Sequence, residues 1–258
     1  MSTILLEIKN EVAFITLNRP EKFNAFNREM ALLLQNKLDE CEDNPAVRCV
    51  YLTGNGKAFC AGQDLGEVTG DNPVTFDKIL VEHYNPIITR IRKMNKPVVC
   101  AVNGVAAGAG VNIALSCDIV VASETASFVQ AFSKIGLIPD CGGTYFLPRI
   151  IGMQKAAAIM MLADKVSAEE AEKMGMIYKV FSKENFSEES VAIAVSLSQM
   201  PTKALAFTKQ ALNESFKNTL EAQLQLEDSL QYKAAHTKDY NEGVSAFLEK
   251  RNPNFKGE

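Results

Sequence analysis

The hydrophobic pattern changes period several times along the chain. ILLEIKN and VAFITLN are short apolar runs that read as two strands joined by the polar pair Asn10 and Glu11, as in a hairpin. Residues 27 to 43 then switch to helical spacing. Asn27 is placed to cap a helix in which Met30, Leu33, Leu34, Lys37, Leu38 and Cys41 recur, ending near Asn44 and Pro45. VRCVYLTG returns to a strand, and Gly54 and Gly56 open a loop. Residues 75 to 95 predict a second helix through Phe76, Ile79, Leu80, Tyr84 and Ile88, after which Pro97 starts the buried strand PVVCAVN. Beyond Gly104 to Gly110 come an apolar helix, the strand CDIVVAS, and two short helices over 143 to 163 separated by Gly152. Strands alternating with helices of this length predict an α/β fold with a buried sheet.

Past residue 185 the strand signal ends and helix follows helix through VAIAVSLSQM, TKALAFTKQALNESF, TLEAQLQLEDSLQYKA and KDYNEGVSAFLEK. The organisation expected is an α/β core over 1–200 and a helical module over 201–258, with the boundary near Pro201. No Gly/Ser linker separates the two, so the module is expected to pack on the core or on a neighbouring subunit. The βα units near 46 to 70 and 97 to 123 are loosely alike.

Composition adds exclusions. At 258 residues, 47% hydrophobic and 22% charged, the chain is globular and large enough to stabilise its own core. The net charge of −4 and scattered Lys and Arg argue against nucleic acid as a partner. No leader pattern and no run of about 18 apolar residues occurs, which predicts no membrane association and a cytoplasmic protein. The six cysteines never fall at CxxC spacing and the histidines stand apart, so neither a metal site nor a disulfide framework is expected.

Three segments could carry chemistry. GNGKAFCAGQDL and NGVAAGAGVNIALSCD are strand-to-helix junctions rich in small residues. Such loops serve close helix packing, or they aim free backbone N–H groups at an oxyanion; in the second, the helix should start near Ala109. Neither junction has the spacing of a phosphate-binding loop. In GLIPDCGGTYFLPR a lone carboxylate, Asp140, stands in an apolar stretch. It reads either as the cap of the next helix or as a general base whose pKa burial would raise toward neutrality.

Together these segments resemble the enoyl-CoA hydratase/isomerase (crotonase) superfamily. The likeness runs through NRPEKFNAF, AFCAGQDL, NGVAAGAGVNIALSCDIVVAS, FSKIGLIPDCGGTYFLPRIIG, SAEEAEKMGMI and GVSAFLEKRNPNFKG, essentially the whole chain. It implies a crotonase-type spiral of ββα units with a helical C-terminal trimerisation module, assembled as a homotrimer or as a hexamer built from two trimers. It implies an acyl-CoA substrate and no separate cofactor, coenzyme A being part of the substrate. By motif position the oxyanion donors are the N–H groups of Gln63 and Ala109. Coenzyme A contacts carry over to Lys22, Ala25, Ala58 and Asp64, and to Phe247 and Lys250, the last two serving a neighbouring subunit's ligand.

The departures from the family pattern narrow the reaction. Hydratases of the superfamily use two glutamates where this chain has Asn112 and Phe132. Neither an amide nor a phenyl ring can activate water, so Asp140 is left as the acid/base, which suits proton shuttling in an isomerase. IGLIPDCGGT and GVSAFLEKR are similar to the branch acting on ring-1,2-epoxyphenylacetyl-CoA in phenylacetate degradation, which implies conversion to an oxepin-CoA. Alternatives are 3-enoyl-CoA to 2-enoyl-CoA isomerisation, hydration in fatty-acid oxidation, or a non-catalytic crotonase-fold binding protein. Asn85 reads either as a pocket residue or as a surface amide before Pro86, and pocket walls are expected from residues 66 to 90.

Overall fold

The computed structural model describes residues 2–69 and 73–258. Residues 70–72, inside the segment expected to supply pocket walls, lie outside the described residues. Asn10 and Glu11 take left-handed backbone angles (φ 51° and 61°) and fold β1 (Ile4–Lys9) back onto β2 (Val12–Leu17) as the expected antiparallel hairpin. From β2 the sheet continues in parallel through β3 (Cys49–Gly54), β5 (Val98–Val102), β7 (Ile119–Ser123) and β10 (Lys179–Phe181). A second sheet has the order β4 (Ala58–Cys60), β6 (Val105–Ala107), β8 (Ser127–Val129) and β9 (Val166–Ser167). Three successive turns of chain thus give one strand to each sheet, β3 then β4, β5 then β6, β7 then β8. That advance is a spiral of repeated units. The likeness between 46–70 and 97–123 is its trace in the sequence.

The helices fill the intervals: α1 (Arg28–Asp43), α2 (Gly66–Thr69), α3 (Phe76–Lys78), α4 (Asn85–Lys93), α5 (Ala109–Leu115), α6 (Gly143–Ile151), α7 (Met153–Leu162), α8 (Ala168–Lys173), α9 (Phe186–Ser198), α10 (Thr202–Ser215), α11 (Leu220–Ala235) and α12 (Lys238–Glu249). Asn27 caps α1, its side-chain oxygen accepting from the Met30 N–H at 2.9 Å. Along the parallel strands, side chains alternate between two cores. Val50, Leu52, Val98, Cys100 and Val102 join α1, α4 and α5 on one face, while Cys49, Tyr51, Val99, Ala101 and Val121 meet Phe181 and Ala194 on the other. All six cysteines are buried and unpaired, filling space as small apolar groups.

One difference from the sequence reading shapes the site. The helix expected over 75–95 is interrupted by a π turn over Ile79–Tyr84, where hydrogen bonds skip one residue further. Gln35 is buried and donates to the carbonyls of Glu82 (2.8 Å) and His83 (3.2 Å). It supplies partners that the wide turn needs. The π turn also lets the consecutive residues His83 and Tyr84 both point inward.

After β10 the chain is helical. Arg48, nearly fully buried, ties this region to the sheet by donating to Thr202 Oγ1 (2.9 Å), the Met200 carbonyl (2.6 Å) and the Phe255 carbonyl (2.9 Å). Lys209 reaches Asp118 at 2.7 Å and Asn213 donates to the Arg92 carbonyl at 2.9 Å. The outer faces of these helices expose Leu212, Phe216, Leu220, Leu224, Phe247 and Leu248. Among the described residues no helix is long and apolar enough to cross a membrane.

Candidate active site

The first small-residue junction leaves β4 through Ala61 and Gly62. Gly62 (φ 89°) bends the chain so that its carbonyl accepts from the Phe26 N–H at 2.7 Å, while the Asp64 N–H donates to the Phe26 carbonyl at 2.8 Å. These two bonds grip the residue between them and use neither of its own backbone groups. Among the described residues, the Gln63 N–H therefore has no acceptor. The second junction turns at Gly108, whose φ of 52° and ψ of −125° lie in a region closed to other residues. Its N–H is anchored to the Val129 carbonyl at 2.9 Å, and the next N–H, that of Ala109 at the start of α5, is likewise without an acceptor. A β-carbon placed on Gly62 would lie 3.5 Å from the Ala109 nitrogen, so the two free donors belong to touching loops. Two unsatisfied N–H groups on touching loops suit one oxygen that gains negative charge. Because α5 has only seven residues, that capacity rests on the two donors more than on a helix dipole.

The Gln63 side chain is held too. Its Oε1 accepts from the Tyr84 hydroxyl at 2.9 Å and its Nε2 donates to Glu67 at 3.1 Å. Tyr84 is fully buried, and burial, followed by the neighbouring Cys141, Cys60 and Asp140, pushes its hydroxyl well above the usual range, so it stays protonated as a donor. Sequence reasoning treated Tyr84 as one more apolar position. Only the π turn reveals that its hydroxyl reaches the loop. Asn85, expected as a pocket candidate, is exposed on the outside of α4, because the same turn gives the inward place to Tyr84.

Asp140 precedes two consecutive left-handed residues, Cys141 (φ 51°) and Gly142 (φ 72°). The residue at the cap position of α6 is Gly142, and no side chain caps that helix. The capping alternative for Asp140 is therefore not what the structure contains. Its Oδ1 is buried and, among the described residues, has no hydrogen-bond partner. Burial raises its pKa above the ordinary carboxylate value, with the Cys141 thiol opposing only in part. A partly buried carboxylate with one oxygen free of partners and a raised pKa has the properties of a proton acceptor.

Asn112 and Phe132 stand close to these groups in different ways. Asn112 is wholly buried, donates from Nδ2 to the Asp140 carbonyl at 2.9 Å and accepts from Gln130 Nε2 at 2.6 Å. Both ends of its amide are thus committed inside the protein. Phe132 brings its ring edge within 3.7 Å of where a Gly108 β-carbon would be, and so covers the second loop.

The motif NRPEKFNAF joins the first loop as one bonded cluster. Arg19 donates to the Ala25 carbonyl (2.6 Å) and pairs with Asp64 at 2.9 Å, and Asn24 donates to the Ala58 carbonyl at 2.8 Å. Against its partial burial, Arg19 and the Gly66 N–H hold Asp64 below the usual carboxylate range, so it is ionised. Lys22 is exposed beside this cluster. Arg19 was not among the expected site residues, although its place at the head of the motif was a usable signal. Phe247 lies on α12 and Lys250 at its C-terminal cap, and among the described residues neither shares a hydrogen bond or ion pair with the two loops. Phe247 is 83% exposed on α12, where it lines a groove with Gly243, Val244, Leu248 and Phe255.

A family model described as enoyl-CoA hydratase/isomerase matches residues 7–258. The chain is 47% identical over 260 residues to 1,2-epoxyphenylacetyl-CoA isomerase of Escherichia coli (strain K12), covering 100% of this chain and 99% of that protein. It is 35% identical over 261 residues to 2,3-dehydroadipyl-CoA hydratase of the same organism, covering 100% of both. Among solved structures, enoyl-CoA hydratase from Bacillus anthracis superposes with a TM-score of 0.92 at 33% identity, covering 99% of this chain and 100% of that one. An enoyl-CoA hydratase from Polaromonas sp. JS666 gives 0.91 at 34% identity, covering 98% and 99%. The spiral α/β fold and its helical C-terminal region are those of this fold family.

Proposed function

Since the chain belongs to the enoyl-CoA hydratase/isomerase family, we propose that it isomerises a CoA thioester, with ring-1,2-epoxyphenylacetyl-CoA as the substrate and an oxepin-CoA as the product. One observation carries this reading. Asp140, a partly buried carboxylate whose Oδ1 has no hydrogen-bond partner among the described residues, is tethered through Asn112 to the helix that begins with the free Ala109 N–H, and an amide and a phenyl ring stand at the positions where the family resemblance puts a water-activating pair.

In the proposed mechanism the thioester oxygen accepts from the N–H groups of Gln63 and Ala109. Asp140 removes a proton from the carbon next to the thioester carbonyl, and the electron pair spreads onto that oxygen. The carboxyl then returns the proton to a ring carbon while the bicyclic epoxide opens to the seven-membered ring, so no atom is gained or lost. The cluster of Lys22, Ala25, Ala58, Asp64 and Arg19 would hold the coenzyme A portion. Exposed apolar side chains on α10, α11 and α12 support assembly into a trimer or hexamer, in which Phe247 and Lys250 would reach a neighbour's ligand.

The test is to supply purified protein with the enzymatically generated epoxide, with a 3-enoyl-CoA and with a 2-enoyl-CoA. Oxepin-CoA formation is expected to dominate. Turnover confined to the 3-enoyl-CoA would move the assignment to double-bond migration in fatty acyl chains, and hydration of the 2-enoyl-CoA at a comparable rate would overturn the isomerase reading.

A further inference from the structure

The groups around Asp140 show a feature that the proton-transfer scheme does not itself require. Gln130 lies 1% exposed just after β8, and its Nε2 donates to Asn112 Oδ1 at 2.6 Å. Asn112 in turn donates from Nδ2 to the Asp140 carbonyl at 2.9 Å, which also accepts from the Gly143 N–H at 2.8 Å. Two amides in series therefore run from the second sheet, across α5, to the backbone of the base.

This arrangement is energetically costly to keep. Gln130 Oε1 is buried and, among the described residues, has no partner, so its desolvation goes uncompensated. Cys141 is a non-glycine residue at φ 51°, which also costs energy and persists only where the surroundings dictate it. Gly143 leaves the space that the Asn112 amide occupies, since a β-carbon there would lie 2.4 Å from Nδ2. The strained turn, the missing side chain and the orphaned oxygen all accommodate the same pair of hydrogen bonds.

We propose that Gln130 and Asn112 form a positioning strut that fixes the Asp140 carboxylate relative to the oxyanion donors. The inference rests on Asp140 acting as the base. Asn112 lies on α5 three residues after Ala109, so one short rigid helix sets both the donor and, through the strut, the base. A carboxylate could not replace Asn112 in this role, because the end facing the Asp140 carbonyl must donate. Gln130 acts only through Asn112 and touches no substrate, so it is a positioning residue.

Gln130→Met keeps length and removes both the donor and the orphaned oxygen. It is expected to lower kcat by about tenfold to a hundredfold, the size of effect that a small displacement of a catalytic group produces, with KM changed by less than about threefold. In an Asp140→Asn background the same change is expected to cost less than about twofold, because there is no longer a base to position. A purely structural role would lower turnover equally in both backgrounds, and that outcome overturns the proposal, as does a Gln130→Met enzyme with kcat within about twofold of the parent. Asn112→Asp, which keeps the shape and still accepts from Gln130, provides the same comparison if Gln130→Met fails to fold. If Asp140→Asn alone leaves turnover intact, the base assignment fails and takes the strut with it. If Asp140→Asn is inactive while Gln130→Met is normal, only the strut fails.

Discussion

Gly108→Ala probes the second oxyanion donor without touching any side chain. The site has room for the added methyl, whose nearest neighbour would be the Phe132 ring at 3.7 Å. The cost comes from the backbone instead: φ 52° with ψ −125° is closed to alanine, and holding it there costs about 1–3 kcal/mol. The chain can relieve that strain by rotating the peptide between residues 108 and 109, which redirects the Ala109 N–H. Losing one oxyanion donor costs about 3 kcal/mol of transition-state stabilisation, so turnover should fall by about a hundredfold or more while KM changes little. Gly152→Ala is the matched control, because Gly152 also has positive φ (81°) and open space around it but lies between α6 and α7. The assay is steady-state isomerisation by both variants, with melting temperatures in parallel. Both should lose similar stability and only Gly108→Ala should lose turnover. Equal turnover in the two variants would refute the assignment of the Ala109 N–H.

Hydration of a 2-enoyl-CoA should run at least about a hundredfold below isomerisation, since neither Asn112 nor Phe132 can activate water; product analysis by mass spectrometry checks it. Asp140→Asn should raise the melting temperature at neutral pH. Burial keeps the native Asp140 pKa above its unfolded value, so its contribution to stability is full below the unfolded pKa and lost as pH rises through the native one. The advantage of the variant should vanish below about pH 3, and an advantage that grows toward acid would contradict the direction of the shift. Arg48→Met should destabilise the fold by about 2–4 kcal/mol, because the carbonyls of Met200 and Phe255 lose a buried charged donor; a denaturation midpoint unchanged from the parent would show that the C-terminal helices are held otherwise. Light scattering at micromolar concentration should find three or six copies, and a monomer would remove the basis for placing Phe247 and Lys250 at a neighbour's ligand.

The sequence revealed the elements that bury one face over many residues. The hairpin, α1 with its Asn27 cap and the C-terminal helices follow from periodicity because each repeats its pattern over two turns or more. The second sheet stayed hidden inside what read as loops, because β4, β6 and β8 have three residues apiece and β9 has two, too few for any period to show. The π turn was hidden for another reason: its stabilising partner, Gln35, lies some fifty residues earlier in the chain, at a distance in sequence that local pattern cannot connect. At the site, Asp140 was identifiable as a lone carboxylate among apolar residues, but setting the cap reading aside needed the geometry of Cys141 and Gly142. Asn112 was recognisable as a departure from the hydratase pattern, whereas its actual bonds to Gln130 and the Asp140 carbonyl depend on a tertiary contact between β8, α5 and α6.

The central claim is that Asp140 takes a proton from the carbon beside a thioester carbonyl held by Gln63 and Ala109. Phenylacetyl-CoA, which carries that carbon without the epoxide, isolates this step: incubated with the protein in deuterium oxide and followed by proton NMR, it should exchange its methylene hydrogens for deuterium. Asp140→Asn should bind the same compound and slow the exchange by at least about a hundredfold. Exchange at the parental rate in a folded Asp140→Asn protein would contradict the account.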